Sequence, residues 1–247
     1  MAATVVMVHG AWHGAWCFDR VLPLLHGAGV DAVAIDLPGH GDDAGDLTDL
    51  HGDAQRVAAV LDGLDGEVVL LGHSYGGAVI TEAGSHPSVR ELIYLAALLP
   101  DEGQSCMTAA GEAMAKASAS SEPPTDTSAD ASKVPFAIEG ELSRLTEEGA
   151  RAQFMNDCDE DTTRWMLSRL GPQPMSNLAQ VPNEISWRSK PSTYAVCTLD
   201  LAVPVPMQRV FASNCTRTVD LNAGHSVFAS RPDVLADLLI QHVRALV

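Results

Sequence analysis

The amino-acid sequence predicts an α/β fold: a mostly parallel sheet of about six strands flanked by helices, with a helical cap inserted after the fourth strand. Three observations predict it. Short β-branched apolar runs alternate with amphipathic stretches up to Ala97; the alternation stops across residues 101–190; it resumes at Thr193. Strands that alternate with helices pair in parallel, because each helix crosses a face of the sheet and brings the chain back to the same starting edge.

The elements follow in order. Thr4–Val8 reads T-V-V-M-V, short and β-branched, and is a buried strand. A helix follows over Phe18–His26, closed by Gly27 and Gly29. Asp31–Ile35 is the second strand. Over Asp49–Leu64 the apolar residues Val57, Val60, Leu61 and Leu64 recur at helical spacing. Glu67–Leu71 is the third strand, Gly76–Ser85 a helix and Glu91–Ala97 the fourth strand. In the next stretch, Ser118–Lys133 is small, polar and Pro-bearing and reads as a mobile loop. Ser143–Met155 and Glu160–Leu170 read as helices, the second stopped by Gly171, Pro172 and Pro174. Thr193–Leu199 is the fifth strand, Pro204–Ser213 a helix, Thr216–Leu221 the sixth strand and Pro232–Leu246 the last helix. The expected organisation is a core domain of residues 1–100 and 191–247 carrying a helical cap of residues 101–190.

Composition limits the function classes. The chain has 247 residues, 46% of them hydrophobic, enough to bury one large core. Thirty-two acidic residues against 15 Lys plus Arg leave a net charge of −17. Such a surface repels nucleic acid and anionic membranes, so neither is an expected partner. The five cysteines form no C-x-x-C pair, which fits a reducing compartment rather than a disulfide or zinc framework. Met1–Phe18 lacks Asp, Glu, Lys and Arg, but it has no basic start, and His9, Gly10, His13 and Gly14 interrupt its apolar run. It does not read as a signal peptide, and no other stretch approaches the ~20 apolar residues of a membrane span. The expected location is cytoplasmic.

The chemistry is carried by Gly72-His73-Ser74-Tyr75-Gly76-Gly77. This G-x-S-x-G run follows a strand and opens a helix, the setting of a nucleophile elbow, in which a sharp turn pushes the Ser74 side chain into the open. A serine hydroxyl needs a base, and the base an orienting acid. On the α/β-hydrolase fold these follow in the order Ser, acid, His. Of the nine histidines, only His225 and His242 come late enough. His225 sits in a loop after the last strand, in A-G-H-S, whereas His242 lies inside the final helix and reads as a packing residue. Asp200, directly after the strand Y-A-V-C-T-L, is the favoured acid; Asp101, after the fourth strand, is the rival, and Asp220 lies too near His225. The oxyanion requires two backbone N–H donors. Tyr75, after the nucleophile, supplies one and Ala11, on the loop H-G-A-W-H-G-A-W, the other. His9 and His13 read as braces of that loop and Trp16 as packing under the first helix.

Together, H-G-A-W-H-G-A-W, D-L-P-G-H-G at 36–41, G-H-S-Y-G-G at 72–77 and A-G-H-S at 223–226 resemble one branch of the α/β-hydrolase superfamily. That branch contains the plant methyl esterases, of the salicylate-binding esterase type, the plant hydroxynitrile lyases, and bacterial esterase relatives. W-R-S-K-P-S-T-Y-A-V-C-T-L-D at 187–200 is similar to the bacterial members. The resemblance covers both ends of the chain well and the insertion poorly. It implies Ser74, Asp200 and His225 as triad and Ala11 and Tyr75 as oxyanion donors. The lyases carry Thr where this chain has Gly10 and Lys where it has Ser226. Without that lysine, ester hydrolysis is the favoured activity, and Gly10 is expected to leave space beside the nucleophile. The polar loop 118–133 departs from the plant members.

The expected function is therefore a serine carboxylesterase acting on a small-to-medium apolar ester, without metal or organic cofactor, as a monomer or homodimer. Met107, Met114, Phe154, Trp165, Met166, Met175 and Trp187 are possible pocket wall, though ordinary cap packing suits each singly. The substrate-binding candidates are Gly10, Trp12, Phe154, Trp165 and Met175. A cleaver or cyclase of a biosynthetic thioester or lactone shares the same triad. A hydroxynitrile lyase and a ligand receptor that keeps the hydrolase fold are the remaining readings.

Overall fold

The computed structural model describes residues 3–43, 45–120 and 134–246. Strand β1 (Thr4–Val8) leads through a 3-10 turn (Ala15–Phe18) into helix α1 (Leu22–Gly27) and β2 (Ala32–Ile35). Then come α2 (Leu50–Asp62), β3 (Val68–His73), α3 (Gly76–Ala83) and β4 (Val89–Leu95). The insertion holds α4 (Cys106–Ser120), β5 (Phe136–Glu139), β6 (Leu142–Leu145), α5 (Glu147–Gly149), a π-helical turn (Ala150–Phe154), α6 (Glu160–Leu167), β7 (Gln173–Pro174) and α7 (Met175–Ala179). The core resumes with β8 (Ser192–Cys197), α8 (Val205–Ala212), β9 (Arg217–Leu221), α9 (Val227–Ser230) and α10 (Pro232–Ala245).

The main sheet has the order β2-β1-β3-β4-β8-β9, and all five pairings are parallel. Every residue of β3 and β8 is buried. That is why β3 reads as an apolar run rather than an alternating one, while β8 buries Ser192 and Thr193 along with its apolar residues. From β1 the chain crosses to β2 on one side, and from β3 to β4 on the other. The loops leaving the carboxyl ends of β1 and β3 therefore diverge and open a crevice between them, the usual place for a site on an open parallel sheet. The two strongest motifs of the sequence fall on these two loops. Among the described residues no helix is long and apolar enough to cross a membrane.

The expected six-stranded sheet is present, with β1 as expected and the other strand ends shifted by at most two residues. The helix expected at Phe18–His26 begins later, at Leu22, because a tight turn ending at Phe18 precedes it. The stretch between β4 and β8 departs more. It carries a three-stranded antiparallel sheet, β5-β6-β7, and the start of the helix expected at Ser143–Met155 is the strand β6. A two-residue turn, Gly140–Glu141, with Gly140 at φ +66°, folds β5 back on β6 and pairs Glu139 with Leu142. Glycine accepts that backbone without strain, so the hairpin sets the register before helical spacing can act. Of the loop expected at Ser118–Lys133, the first three residues close α4 and residues 121–133 lie outside the described residues.

Candidate active site

Ser74 follows the last residue of β3 with φ +52°, the left-handed region that a side chain rarely adopts. Its carbonyl accepts from the Gly77 and Leu98 amides, both at 3.0 Å, which hold the turn. The turn also needs a bare backbone behind it: a Cβ on Gly76 would lie 2.6 Å from the His9 carbonyl oxygen. Gly10, expected to leave space beside the serine, does the reverse. A Cβ there would lie 2.8 Å from Ser74 Cβ and 3.0 Å from His73 Nδ1, so the loop after β1 packs directly on the elbow. Glycine is required at this position for close approach, not for an open pocket.

Asp200 and His225 meet. Asp200 Oδ2 lies 2.8 Å from His225 Nδ1, and both side chains are fully out of solvent. The carboxylate is held on its other sides. Oδ1 accepts the Ala202 amide at 2.8 Å and the Val203 amide at 3.0 Å, and Oδ2 accepts Gln208 Nε2 at 3.0 Å. With those donors in place the carboxylate cannot rotate away from the imidazole. His225 Nε2 is buried and has no hydrogen-bond partner among the described residues. Of the two nitrogens of this ring, it is the one Asp200 leaves free. The His225 carbonyl accepts His73 Nε2 at 3.0 Å, so the residue before Ser74 ties the histidine loop to the elbow. The His73 and His225 rings are 4.5 Å apart.

The rivals are engaged elsewhere. Asp101 is gripped by Arg188 through Nε and Nη2, both at 2.8 Å, and this guanidinium holds its carboxyl below the usual range. Asp220 pairs with Arg209 on the outer strand β9. His242 pairs through Nδ1 with Glu91 at 2.9 Å, within the packing of α10.

The loop after β1 is braced by its own histidines. His9 Nδ1 lies 2.8 Å from the Gly10 carbonyl, and its Nε2 accepts the Leu37 amide at 3.1 Å. His13 Nδ1 lies 2.8 Å from the Ala11 carbonyl, and its ring stacks on Trp16. Burial pushes His9 down to about 3 and His13 down to about 4, so both are neutral at neutral pH. Among the described residues the backbone amides of Ala11 and Tyr75 meet no acceptor. Trp12 has φ +64°, a conformation that costs about 1–2 kcal/mol for a side-chain-bearing residue.

The other pocket candidates divide. Phe154 meets the His225 ring edge-on, with centroids 5.1 Å apart, and also meets Trp12 at 5.7 Å. Trp165 lies instead against Trp16, with Arg20 and Arg169 over its ring, and makes no ring contact with His225 or His73. The two guanidinium stacks explain its place at the surface of the core. Met175 opens α7 and lines a groove beside the start of α2 with Leu47, Thr48 and Glu141. Met166 is buried packing, Met107 and Met114 are exposed, and Trp187 donates to the Pro100 carbonyl.

Several residues of the site carry no motif. Gln208 holds Asp200. Asp157, in the cap, accepts the Gly224 amide at 2.6 Å and Ser230 Oγ at 2.8 Å, clamping the loop of His225. Asp53 is buried on α2 and accepts Tyr75 Oη at 2.7 Å and Asn177 Nδ2 at 3.0 Å. Burial raises the Asp53 carboxyl, an effect that these hydrogen bonds oppose.

A parallel sheet whose strand order reverses between β1 and β3, an elbow serine at that point and a buried His–Asp pair beyond it define a hydrolase of the α/β type. The chain belongs to the α/β-hydrolase family, whose model matches residues 5–238. It is 30% identical to the pyrethroid hydrolase of Sphingobium wenxiniae over 258 aligned residues, covering 95% of this chain and 85% of that one. It is 25% identical to methylesterase 8 of Arabidopsis thaliana, covering 95% and 87%. The solved structure of polyneuridine aldehyde esterase matches the fold with a TM-score of 0.80 at 22% identity, covering 98% of this chain and 99% of that one. The branch of plant methyl esterases and bacterial esterases is thus the one to which the sequence motifs pointed.

Proposed function

We propose that the chain is a serine carboxylesterase, with Ser74 as nucleophile, His225 as base and Asp200 as the acid that orients it. The observation that carries this reading is the buried 2.8 Å His225–Asp200 contact with Nε2 left free on a loop tied to the elbow by His73. Asp200 keeps the proton of the imidazole on Nδ1, so Nε2 presents its lone pair. Nε2 takes the Ser74 proton as Oγ attacks the ester carbonyl carbon. The carbonyl oxygen becomes an oxyanion and accepts from the Ala11 and Tyr75 amides. Collapse breaks the bond to the alkoxy oxygen, which leaves as alcohol with the proton from Nε2. Water then adds to the acyl-enzyme with its proton going to Nε2, and Ser74 is regenerated. Nε2 has no hydrogen-bond partner among the described residues, and in this reading its contact with Ser74 Oγ tightens as the hydroxyl attacks.

Residues 1–100 and 191–247 form the core in this reading and residues 101–190 the cap that roofs the site. Phe154, against the His225 ring, and Trp12, beyond Phe154, are its apolar walls, and they suit a small-to-medium apolar acyl or alcohol group. The names of the relatives, a pyrethroid hydrolase and a methylesterase, support a small-molecule ester as substrate. The test is a panel of aryl and methyl esters, thioesters and lactones, run on the wild type and on Ser74→Ala. Ester turnover should fall by ~10³-fold or more in the variant. Covalent labelling by a fluorophosphonate should map to Ser74. Turnover that survives in purified Ser74→Ala overturns the assignment.

A further inference from the structure

The two amides assigned to the oxyanion must stay unpaired to receive substrate, so their direction has to be set by their neighbours. Both sets of neighbours end in one short piece of the cap. On the first side, Trp12 follows Ala11, and its polar atoms run into the cap. The Trp12 carbonyl accepts the Gly171 amide at 2.8 Å, its own amide faces Gln173 Oε1 at 3.4 Å, and its Nε1 donates to Ser143 Oγ at 3.1 Å. Ser143 Oγ in turn donates to the Gln173 carbonyl at 3.1 Å, so one hydroxyl joins β6, β7 and the loop after β1. The indole packs on Phe136 and Phe154. On the second side, Tyr75 is buried and its hydroxyl donates to Asp53 Oδ2 at 2.7 Å. Asn177 Nδ2 donates to the same oxygen at 3.0 Å and to Tyr75 Oη at 3.2 Å. Asn177, like Ser143, is wholly buried, and it stands four residues beyond Gln173.

We propose that the cap strand and turn Gly171–Asn177 act as a strap that sets the oxyanion hole, with Ser143 and Asn177 as positioning residues for the Ala11 and Tyr75 amides. The inference rests on the esterase reading. Trp12 holds its left-handed backbone because three cap groups take its N–H, C=O and Nε1–H together. When the strap lifts, that strained residue loses its partners and the Ala11 amide turns with it. Tyr75 then keeps Asp53 alone. The cap therefore serves acyl transfer as well as shaping the pocket: only a seated cap presents both donors at once.

The test separates positioning from packing. In Asn177→Ala and in Ser143→Ala, kcat for p-nitrophenyl acetate should fall roughly tenfold or more, the scale expected when a donor is displaced by a fraction of an ångström. KM should stay within about twofold, because the interaction lost is one made in the transition state. A trifluoromethyl ketone, whose adduct with Ser74 places an oxyanion in the hole, should lose affinity by the same factor as kcat. Ser143→Thr, which keeps the hydroxyl, should retain the rate. The exchange pair Asp53→Asn with Asn177→Asp should recover most of what Asn177→Ala loses, since donor and acceptor are only swapped. The inference is overturned alone if the wild type turns over ester in a Ser74-dependent way but the variants keep kcat, or lose stability and KM while ketone affinity holds. If the wild type shows no Ser74-dependent turnover, the esterase reading falls and this inference falls with it.

Discussion

Asp200 and His225 form a closed pair: the carboxylate reaches Nδ1 at 2.8 Å and keeps two backbone amides and Gln208 on its remaining lone pairs. Nothing in this arrangement allows an amide to replace the acid. An asparagine at 200 would turn its NH2 either to the Ala202 and Val203 amides, which also donate, or to Nδ1–H of His225. The imidazole would then carry its proton on the wrong nitrogen. Asp200→Asn should lower kcat by ~10³–10⁴-fold. Asp101→Asn should leave kcat nearly unchanged, since the Asp101 carboxylate serves Arg188 and the Glu102 amide, away from His225. Steady-state kinetics on both variants checks the contrast, and a larger loss at Asp101 would move the acid to the fourth strand.

The histidines around the site should make the fold sensitive to mild acid. Burial holds His9 at about 3 and His13 at about 4, and pushes His73 well below the usual histidine range. Unfolded, all three titrate near 6.5. Above that pH they are neutral in both states and contribute no slope. Between pH 6.5 and about 4 the unfolded chain binds protons that the folded one refuses, so stability falls as pH falls. Each such histidine contributes up to about 1.4 kcal/mol per pH unit. Asp53 works the other way but only nearer its own range, because a raised carboxyl pKa favours the folded state in acid. Urea unfolding at pH 7, 6 and 5 should show a falling free energy. A flat profile across that range would mean these rings are not buried as neutral groups.

Gly10→Ala tests the contact between the loop after β1 and the elbow. The added Cβ meets Ser74 Cβ at 2.8 Å and His73 on the other side, and both belong to rigid backbone segments. One of them has to shift. Overpacking of this kind costs about 1–3 kcal/mol. Because the shifted atoms include Ser74, the proposed nucleophile, and the neighbour of the Ala11 amide, kcat should fall more than stability does. Full activity in Gly10→Ala would show that the loop has room to withdraw.

These variants also mark how much the sequence reveals. The proposed triad of Ser74, His225 and Asp200 rests on local signals, an elbow and strand ends, and on the chain order that the fold implies. The parallel sheet is legible because buried strands read as apolar runs. Strand β6 is not, because L-S-R-L has spacing that suits a helix as well, and only the turn at Gly140–Glu141 decides. Trp165 is placed by two arginines far from it in sequence or beside it in the cap, which no apolar pattern announces. Asp53, Ser143, Asn177 and Asp157 escape for the same reason. Each has at least one partner more than sixty residues away, and a polar residue in a plain stretch carries no mark of that contact.

Asp157 gives the sharpest case of a cap residue acting on the core. Its Oδ2 accepts the Gly224 amide at 2.6 Å and Ser230 Oγ at 2.8 Å, so one carboxylate pins the chain on both sides of His225. Gly224 immediately precedes the histidine, and a freed Gly224 would let the imidazole drift relative to Ser74 while the Asp200 contact persisted. Hydrogen bonds to a charged acceptor are worth about 1.5–3 kcal/mol, so Asp157→Ala should destabilise the fold on that scale. The catalytic loss should exceed what partial unfolding can explain: at a temperature well below its melting point, kcat should drop roughly tenfold, as misplacement of a reacting group by part of an ångström does. Asp157→Asn keeps one side-chain oxygen as acceptor and should lose less on both measures. Equal losses in Ala and Asn variants would show that the charge of Asp157, rather than its grip on Gly224, is what the site uses.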